Sequence, residues 1–138
     1  MTRQILLVDD SVDDMELVQR SLKKLAPQVQ QFCARDGVEA LALLHAKEGE
    51  RLVPDVVLLD LKMPRLDGTD VLRALRAEST TRFIPVVMFS SSNQRSDTQK
   101  CYELGASSYL RKPVSFSEYE GTLRCVVDYW LELNLLPR

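Results

Sequence analysis

Acidic side chains stand at the ends of two short apolar runs of the sequence. Asp9 and Asp10 follow the run that begins at Ile5, and Asp60 follows residues 56–59. Carboxylates held close together repel one another, and the pKa of at least one of them rises unless a cation joins the cluster. The available ligands are oxygens, with no His or Cys in the motif, so Mg2+ is favoured over Zn2+. We therefore predict a Mg2+ site built from these three aspartates.

Two further polar residues follow apolar runs and could reach the same site. Ser90 closes the run that begins at Pro85, and Lys112 lies just past residues 108–111. The three aspartates, one Mg2+ and this lysine carry no net formal charge. If Asp60 accepts a phosphoryl group, a charge of about −1.5 to −2 replaces its single negative charge. A serine hydroxyl and a lysine ammonium can both bind phosphoryl oxygens, so the pattern predicts metal-assisted chemistry with a carboxylate nucleophile.

The elements that must position these residues follow from the hydrophobic pattern. Continuous apolar runs of four to six residues are typical of strands that are buried on both faces of a parallel sheet. Between them the apolar residues recur at helical spacing. We predict strands near residues 5–8, 29–34, 55–60, 85–90 and 108–111, and helices over 12–25, after Gly37, around 71–75, over 93–104 and from Phe116 onwards.

This alternation of five strands and five helices predicts an α/β fold with a doubly wound parallel sheet and right-handed crossovers. In such folds, ligands bind beyond the carboxyl ends of the strands, at the point where the strand order switches. The predicted strands end at the acidic residues and at Ser90, so the fold would bring these side chains to one edge of the sheet.

Five short motifs, in order and spread over nearly the whole chain, resemble the receiver domain of two-component response regulators. They are Val8-Asp9-Asp10, the segment 59–64 followed by Asp67-Gly68, Phe89-Ser90, Gly105-Ala106 and Lys112-Pro113. Each motif is weak by itself, but the set is specific. The resemblance implies one receiver domain over residues 1–138, with a five-stranded sheet in the order 2-1-3-4-5, as in chemotaxis receivers of the CheY type.

The resemblance also implies a role for each site residue. Asp60 would be the phosphoacceptor, taking its phosphoryl group from a phosphohistidine on a sensor histidine kinase. Mg2+ would be held by Asp10, Asp60 and the backbone carbonyl of Lys62, with Asp9 acting through water. Ser90 would be the switch hydroxyl, Tyr109 the switch aromatic and Lys112 the phosphate contact, and in relatives the bond from Lys112 to Pro113 is usually cis.

The C-terminal segment, an extended helix and apolar tail over about residues 115–137, is more apolar than a free helix end. One side of a helix cannot bury Tyr129, Trp130, Leu133 and Leu136 against the same sheet, and the excess predicts a partner surface. The tail and the acidic opening of the chain are similar to the small response regulators paired with phytochromes. That similarity implies a phytochrome kinase as partner and a homodimer through the last helix and the adjoining strand. The alternative is a slightly long helix that packs only on its own domain.

Composition excludes several other classes of function. The 138 residues carry a formal charge of −2, from 18 Lys and Arg against 20 Asp and Glu, without the basic block of a nucleic-acid-binding surface. Three cysteines in no CxxC arrangement suit a reducing compartment. There is no run of about 20 apolar residues such as a membrane span requires. We therefore expect a cytoplasmic protein that binds neither nucleic acid nor membrane.

Two other functions remain as alternatives. A phosphatase of the haloacid-dehalogenase type also uses a strand-end aspartate and Mg2+, but it needs a second aspartate two positions on, where this chain has Lys62. A pseudo-receiver would bind partners without phosphorylation, although every expected site residue is present here. We therefore expect a phosphoacceptor that catalyses only its own phosphoryl transfer and slow dephosphorylation, rather than an enzyme acting on other substrates.

Overall fold

The computed structural model describes residues 2–137 and shows one sheet of five parallel strands. The strands are β1 (Gln4–Val8), β2 (Gln30–Ala34), β3 (Val56–Leu59), β4 (Val86–Ser90) and β5 (Ser108–Arg111). The helices are α1 (Val12–Leu25), α2 (Gly37–Leu44), α3 (Gly68–Ala77), α4 (Arg95–Glu103) and α5 (Phe116–Val126). The strand order is β2-β1-β3-β4-β5, so the predicted doubly wound α/β fold and its 2-1-3-4-5 order are confirmed.

Two hydrophobic clusters, one on each face, hold the helices on the sheet. Successive residues of a strand point to opposite faces, so Leu6 and Val8 of β1 belong to one cluster while Ile5 and Leu7 belong to the other. Of the five helices, α2, α3 and α4 contribute to the first cluster, and α1 and α5 contribute to the second. Both faces are covered, which explains why the central strands are apolar without alternation.

Side-chain caps begin several of the helices at the carboxyl edge of the sheet. The Ser11 hydroxyl accepts a hydrogen bond from the backbone N–H of Asp14 at the start of α1. Asp67 accepts from the N–H groups of Thr69 and Asp70, and the Asp70 side chain accepts in return from the N–H of Asp67. This reciprocal capping box fixes where the loop after β3 ends.

The last helix changes its character before it ends. After Val126 the chain continues as a π-helical segment (Val127–Leu133), which stops where the N–H of Asn134 donates to the carbonyl of Tyr129 at 2.7 Å. Residues 134–137 are not helical; Leu135 and Leu136 line a cleft with residues near the amino ends of β1 and β3, among them Gln4. The helix therefore ends at Leu133, before the apolar segment does.

The structure also bears on the peptide bond before Pro113 and on membrane-spanning helices. The peptide bonds among residues 2–137 are all trans, so the cis bond before Pro113 that the resemblance implies is not found. In the same range, none of the helices combines the length and the hydropathy needed to cross a bilayer. The assignment of residues 1–138 to one receiver domain stays a prediction.

Candidate functional site

The three aspartates that the sequence singles out meet at the carboxyl edge of the sheet. Val8 at the end of β1 is paired with Leu59 at the end of β3, so the residues that follow, Asp9 and Asp60, lie side by side. One carboxylate oxygen from each of these residues and from Asp10 lies within 4.8 Å of the others. Asp9 and Asp60 are buried and Asp10 is exposed. This is a cluster of hard oxygen ligands open to solvent on one side, which suits Mg2+.

The electrostatics of Asp60 explain why the cluster needs positive charge. The pKa of the Asp60 carboxyl is raised to about 7, chiefly by burial; the Lys112 ammonium acts to lower this pKa and the negative charge of Asp9 acts to raise it. A backbone hydrogen bond from Leu61 to Asp60 Oδ1, at 2.8 Å, favours the charged form. A cation bound beside this carboxylate would stabilise its charged form. The donor set and its electrostatics therefore fit a divalent ion.

Lys112 supplies a buried ammonium to the same cluster. Its Nζ donates to Asp9 Oδ2 at 2.7 Å, to Asp14 Oδ2 at 2.8 Å and to Asp60 Oδ2 at 3.4 Å. Burial acts to lower the pKa of Lys112, but the hydrogen bonds to Asp14 and Asp9 and the charge of Asp60 outweigh it and raise the pKa above its usual value. The lysine is therefore charged and bridges three carboxylates.

Asp14 is the member of the site that the sequence analysis missed. It lies in the first turn of α1, and its carboxylate is within ion-pair distance of Lys112. With it the site holds four aspartates and one lysine, a formal charge of −3. A bound divalent cation would leave −1 instead of the neutrality expected from three aspartates. The sequence does offer one signal for Asp14: it lies one helical turn beyond Asp10, where the start of α1 faces the strand ends.

Ser90 and Tyr109 are both tied to the loop that follows β4. Ser90 is buried, and its hydroxyl oxygen accepts from the N–H of Ser92 at 3.2 Å. The Tyr109 hydroxyl donates to the carbonyl of Ser92 at 2.9 Å. The Ser92 hydroxyl in turn donates to Asp97 Oδ2 at 2.6 Å, which connects the loop to the first turn of α4. A movement of Ser90 would therefore alter the hydrogen bonds that connect this loop to Tyr109 and to α4.

Lys62 lies in the loop after β3, with its side chain turned to solvent. The side chain is 71% exposed, and its Nζ lies 3.7 Å from Asp97 Oδ1. The loop itself is anchored by the N–H of Gly68, which donates to the carbonyl of Leu61 at 2.8 Å. The role of the Lys62 carbonyl as a metal ligand stays a prediction.

The four predicted interface residues are not equivalent. Tyr129 is 50% exposed and Leu133 is 71% exposed. Trp130 is half-buried and packs against the core cluster formed with α1 and α5. Leu136 is half-buried and lines a cavity with Phe83 and other residues. The domain thus covers part of the apolar tail itself, and Tyr129 and Leu133 are the members most available to a partner.

Comparison with known proteins identifies this arrangement. Residues 5–124 match the family model described as the response regulator receiver domain. The chain belongs to the response regulator receiver family. The resemblance noted in the sequence is thus confirmed, and the fold that it implied is the fold observed.

Full-length similarity extends to small response regulators of this family. The chain is 35% identical to the response regulator Rcp1 of Synechocystis over 136 residues, covering 96% of this chain and 92% of that protein. It is 37% identical to a probable methanogenesis regulatory protein, FilR2, of Methanothrix harundinacea, covering 96% and 86%. The crystal structure of the phosphorylated cyanobacterial phytochrome response regulator RcpA has a TM-score of 0.91 and 31% identity, with complete coverage of both chains.

These relatives confirm the predicted class of function. The chain is a receiver of the two-component response regulator type and resembles the phytochrome-associated members. Receiver domains bind Mg2+ or Mn2+ at their acidic pocket, and one crystal structure of Rcp1, 33% identical with a TM-score of 0.88, is its Mn2+-bound form. Receiver domains of this family are generally non-enzymatic signalling modules.

Proposed function

We propose that this receiver accepts a phosphoryl group on Asp60 from the phosphohistidine of a sensor histidine kinase of the phytochrome type. The observation that carries the proposal is the arrangement around Asp60: a buried carboxylate, two neighbouring aspartates whose oxygens lie within 4.8 Å, and a buried lysine ammonium 3.4 Å away. The similarity to phytochrome-associated regulators supports the choice of kinase.

The chemistry follows from this geometry. An Asp60 carboxylate oxygen attacks phosphorus, the P–N bond of the phosphohistidine breaks, and its electron pair returns to the imidazole of the kinase. Asp9, Asp10, Asp60 and the Lys62 carbonyl would hold Mg2+, which would supply positive charge to offset the phosphoryl oxygens. The N–H of Leu61 orients Asp60, and the Lys112 ammonium binds a phosphoryl oxygen as negative charge increases.

The signal would leave the site through the loop after β4. When the Ser90 hydroxyl donates to a phosphoryl oxygen, it moves away from the N–H of Ser92, its present partner. The hydrogen bond from Tyr109 to the same loop then breaks or is remade, and α4 shifts through Asp97. A near-complete switch requires about 5.5 kcal/mol of differential stabilisation. A change of charge in a partly buried site, with new charge-assisted hydrogen bonds, is of this order.

No observation favours the phosphatase alternative. The position where that class carries a general acid is occupied by Lys62, whose side chain is exposed and paired with Asp97. The pseudo-receiver alternative is also disfavoured, because the acidic cluster, the hydroxyl and the lysine are all in place. We keep a cytoplasmic location as part of the proposal, since the phosphodonor domains of sensor kinases act there.

Phosphoryl labelling tests the proposal. With Mg2+ and the small donor acetyl phosphate, we expect one phosphoryl group per chain, stable in acid and released by hydroxylamine, as an acyl phosphate should be. Chelation of the metal with EDTA should reduce labelling at least about tenfold, because the three clustered carboxylates repel an anionic donor. Intact-protein mass spectrometry measures both. An unlabelled protein, or labelling that is indifferent to EDTA, would reject the proposal.

We also propose that the chain forms a homodimer through its last helix and the adjoining edge strand β5. Tyr129 and Leu133 present apolar surface to solvent on the π-helical segment, and Leu135 beyond it is 90% exposed. The edge of β5 that does not pair with β4 lies at the border of the sheet. Exposed apolar side chains and an unpaired strand edge are each typical of a surface that another chain covers.

Truncation of an exposed tail residue is expected to weaken this dimer. Leu133→Ala should raise the dimer dissociation constant by about tenfold, since about 1–2 kcal/mol of apolar burial is lost. Leu133 is a better choice than Trp130, whose truncation would also open the core. Val38→Ala, an exposed residue on α2 at the other side of the sheet, is the control. Sedimentation equilibrium measures dissociation, and a wild-type monomer at high micromolar concentration would reject the dimer.

A further inference from the structure

We infer that Asp14 is a positioning residue that restrains Lys112 in the unphosphorylated state and releases it when Asp60 is phosphorylated. The inference rests on the proposed phosphorylation of Asp60. Asp14 belongs to α1, whereas the three aspartates of the metal cluster belong to the ends of β1 and β3. It contacts the site through the lysine and not as part of the cluster.

The first step of the argument is the hydrogen-bonding capacity of Lys112. An ammonium has three N–H donors. The Lys112 Nζ uses two of them in short bonds to Asp9 and Asp14, and the third lies toward Asp60 at the longer distance of 3.4 Å. All three donors are therefore directed at carboxylates. The two short bonds hold the ammonium away from Asp60, so a phosphoryl oxygen there can receive an equally short bond only if the ammonium moves toward Asp60 and leaves Asp9 or Asp14.

The second step is which partner is released. The Asp9 side chain is 10% exposed and the Asp14 side chain is 36% exposed. A carboxylate deprived of its ion-pair partner is much less costly where water can hydrate it than where it is buried. Asp9 also accepts a hydrogen bond from the N–H of Ser11, which fixes it in the loop after β1. Asp14 is therefore the partner that Lys112 leaves.

The third step is the consequence for the equilibrium. Asp14 and the phosphoryl group compete for the same ammonium, so the bond to Asp14 stabilises the unphosphorylated state relative to the phosphorylated one. Removal of the Lys112–Asp14 bond should strengthen the binding of any phosphoryl-like group to Asp60. Asp14 also carries negative charge near the site, so its removal must be separated from a general change of charge. The chain provides a matched control in Asp13, an exposed carboxylate on the same turn of α1.

The test uses beryllofluoride, which coordinates a carboxylate oxygen and mimics a phosphoryl group. In saturating Mg2+, titration calorimetry should show Asp14→Asn binding beryllofluoride about fivefold more tightly than Asp13→Asn, equivalent to about 1 kcal/mol. A second readout needs no metal or anion: the side-chain 15N resonance of Lys112 should shift in Asp14→Asn and stay in place in Asp13→Asn. A role confined to fold stability would not move that resonance.

The outcomes separate the two claims. Failure of the wild-type chain to bind beryllofluoride would reject the proposed function itself. Normal wild-type binding, with Asp14→Asn equal to or weaker than Asp13→Asn, would overturn the role of Asp14 alone and leave phosphorylation of Asp60 in place. An unchanged Lys112 resonance in Asp14→Asn would overturn it as well, because it would mean that the ion pair is not formed in solution.

Discussion

Asp60→Asn is expected to abolish phosphoryl labelling by acetyl phosphate entirely, to the level of a protein-free control. The amide retains the shape of the carboxylate, so it should keep the packing of the buried side chain and the hydrogen bond from Leu61. It lacks the carboxylate oxygen proposed as the nucleophile, and it removes one of the three clustered carboxylates proposed to hold the metal. Both effects act in the same direction, and the readout is the mass of the intact protein after incubation.

The controls for this variant test where the phosphoryl group goes. Asp13→Asn removes the same charge from an exposed position on α1 and should label like the wild-type chain. Thermal unfolding should show that Asp60→Asn is folded, and it should be no less stable than wild type, because burial opposes the charged form of Asp60. A hydroxylamine-labile label that persists in Asp60→Asn would assign the acceptor role to another carboxylate, such as Asp9 or Asp10.

The aspartate cluster could be predicted from the sequence because its geometry follows from topology. Asp9 and Asp60 come directly after apolar runs, and neighbouring parallel strands necessarily bring such positions together. No knowledge of side-chain packing is needed to reach that conclusion. The same reasoning placed Ser90 correctly, since it is the last residue of β4 and is buried at the same edge.

Asp14 could not be found in this way because its place in the site depends on how α1 packs. A residue in the first turn of a helix can face the site or solvent, and Asp13 and Asp14 differ only by the rotation of about 100° per residue along the helix. The packing of Met15 and Val18 into the core sets this rotation. The formal charge estimated for the site from the sequence therefore omitted the one negative charge of Asp14.

The apolar tail was predicted only in part for a related reason. The sequence shows an excess of apolar residues but not how the domain divides them. The change from α-helix to π-helix at Val127 alters which side chains face the core, so Leu131 becomes buried while Leu133 is exposed. A π-helical stretch has no simple sequence signature. The partial cover of Trp130 and Leu136 therefore follows from tertiary packing and not from helical periodicity.

Gly68→Ala is expected to lower the free energy of unfolding by about 2–3 kcal/mol, the cost of forcing an extra methyl group into a closely packed site. A Cβ at Gly68 would clash with the carbonyl oxygen of Asp60 and would lie 2.9 Å from the Cα of Leu61 and 3.0 Å from the Cε of Met88. Two of these atoms belong to the backbone, so no rotamer change relieves the contact. Chemical denaturation followed by circular dichroism measures the change.

Gly121→Ala is the matched control, because the same atom is added to a glycine of α5 with no atom within 4 Å of the new Cβ. There, the gain in helix propensity should stabilise the chain by about 0.5–1 kcal/mol. The expected changes in the free energy of unfolding therefore have opposite signs in the two variants. Gly68→Ala should also slow phosphorylation even under conditions where it is fully folded, because relief of the clash displaces the backbone of Asp60, the proposed phosphoacceptor. If it instead proved as stable as Gly121→Ala, the close approach of α3 to the Asp60 loop would be wrong.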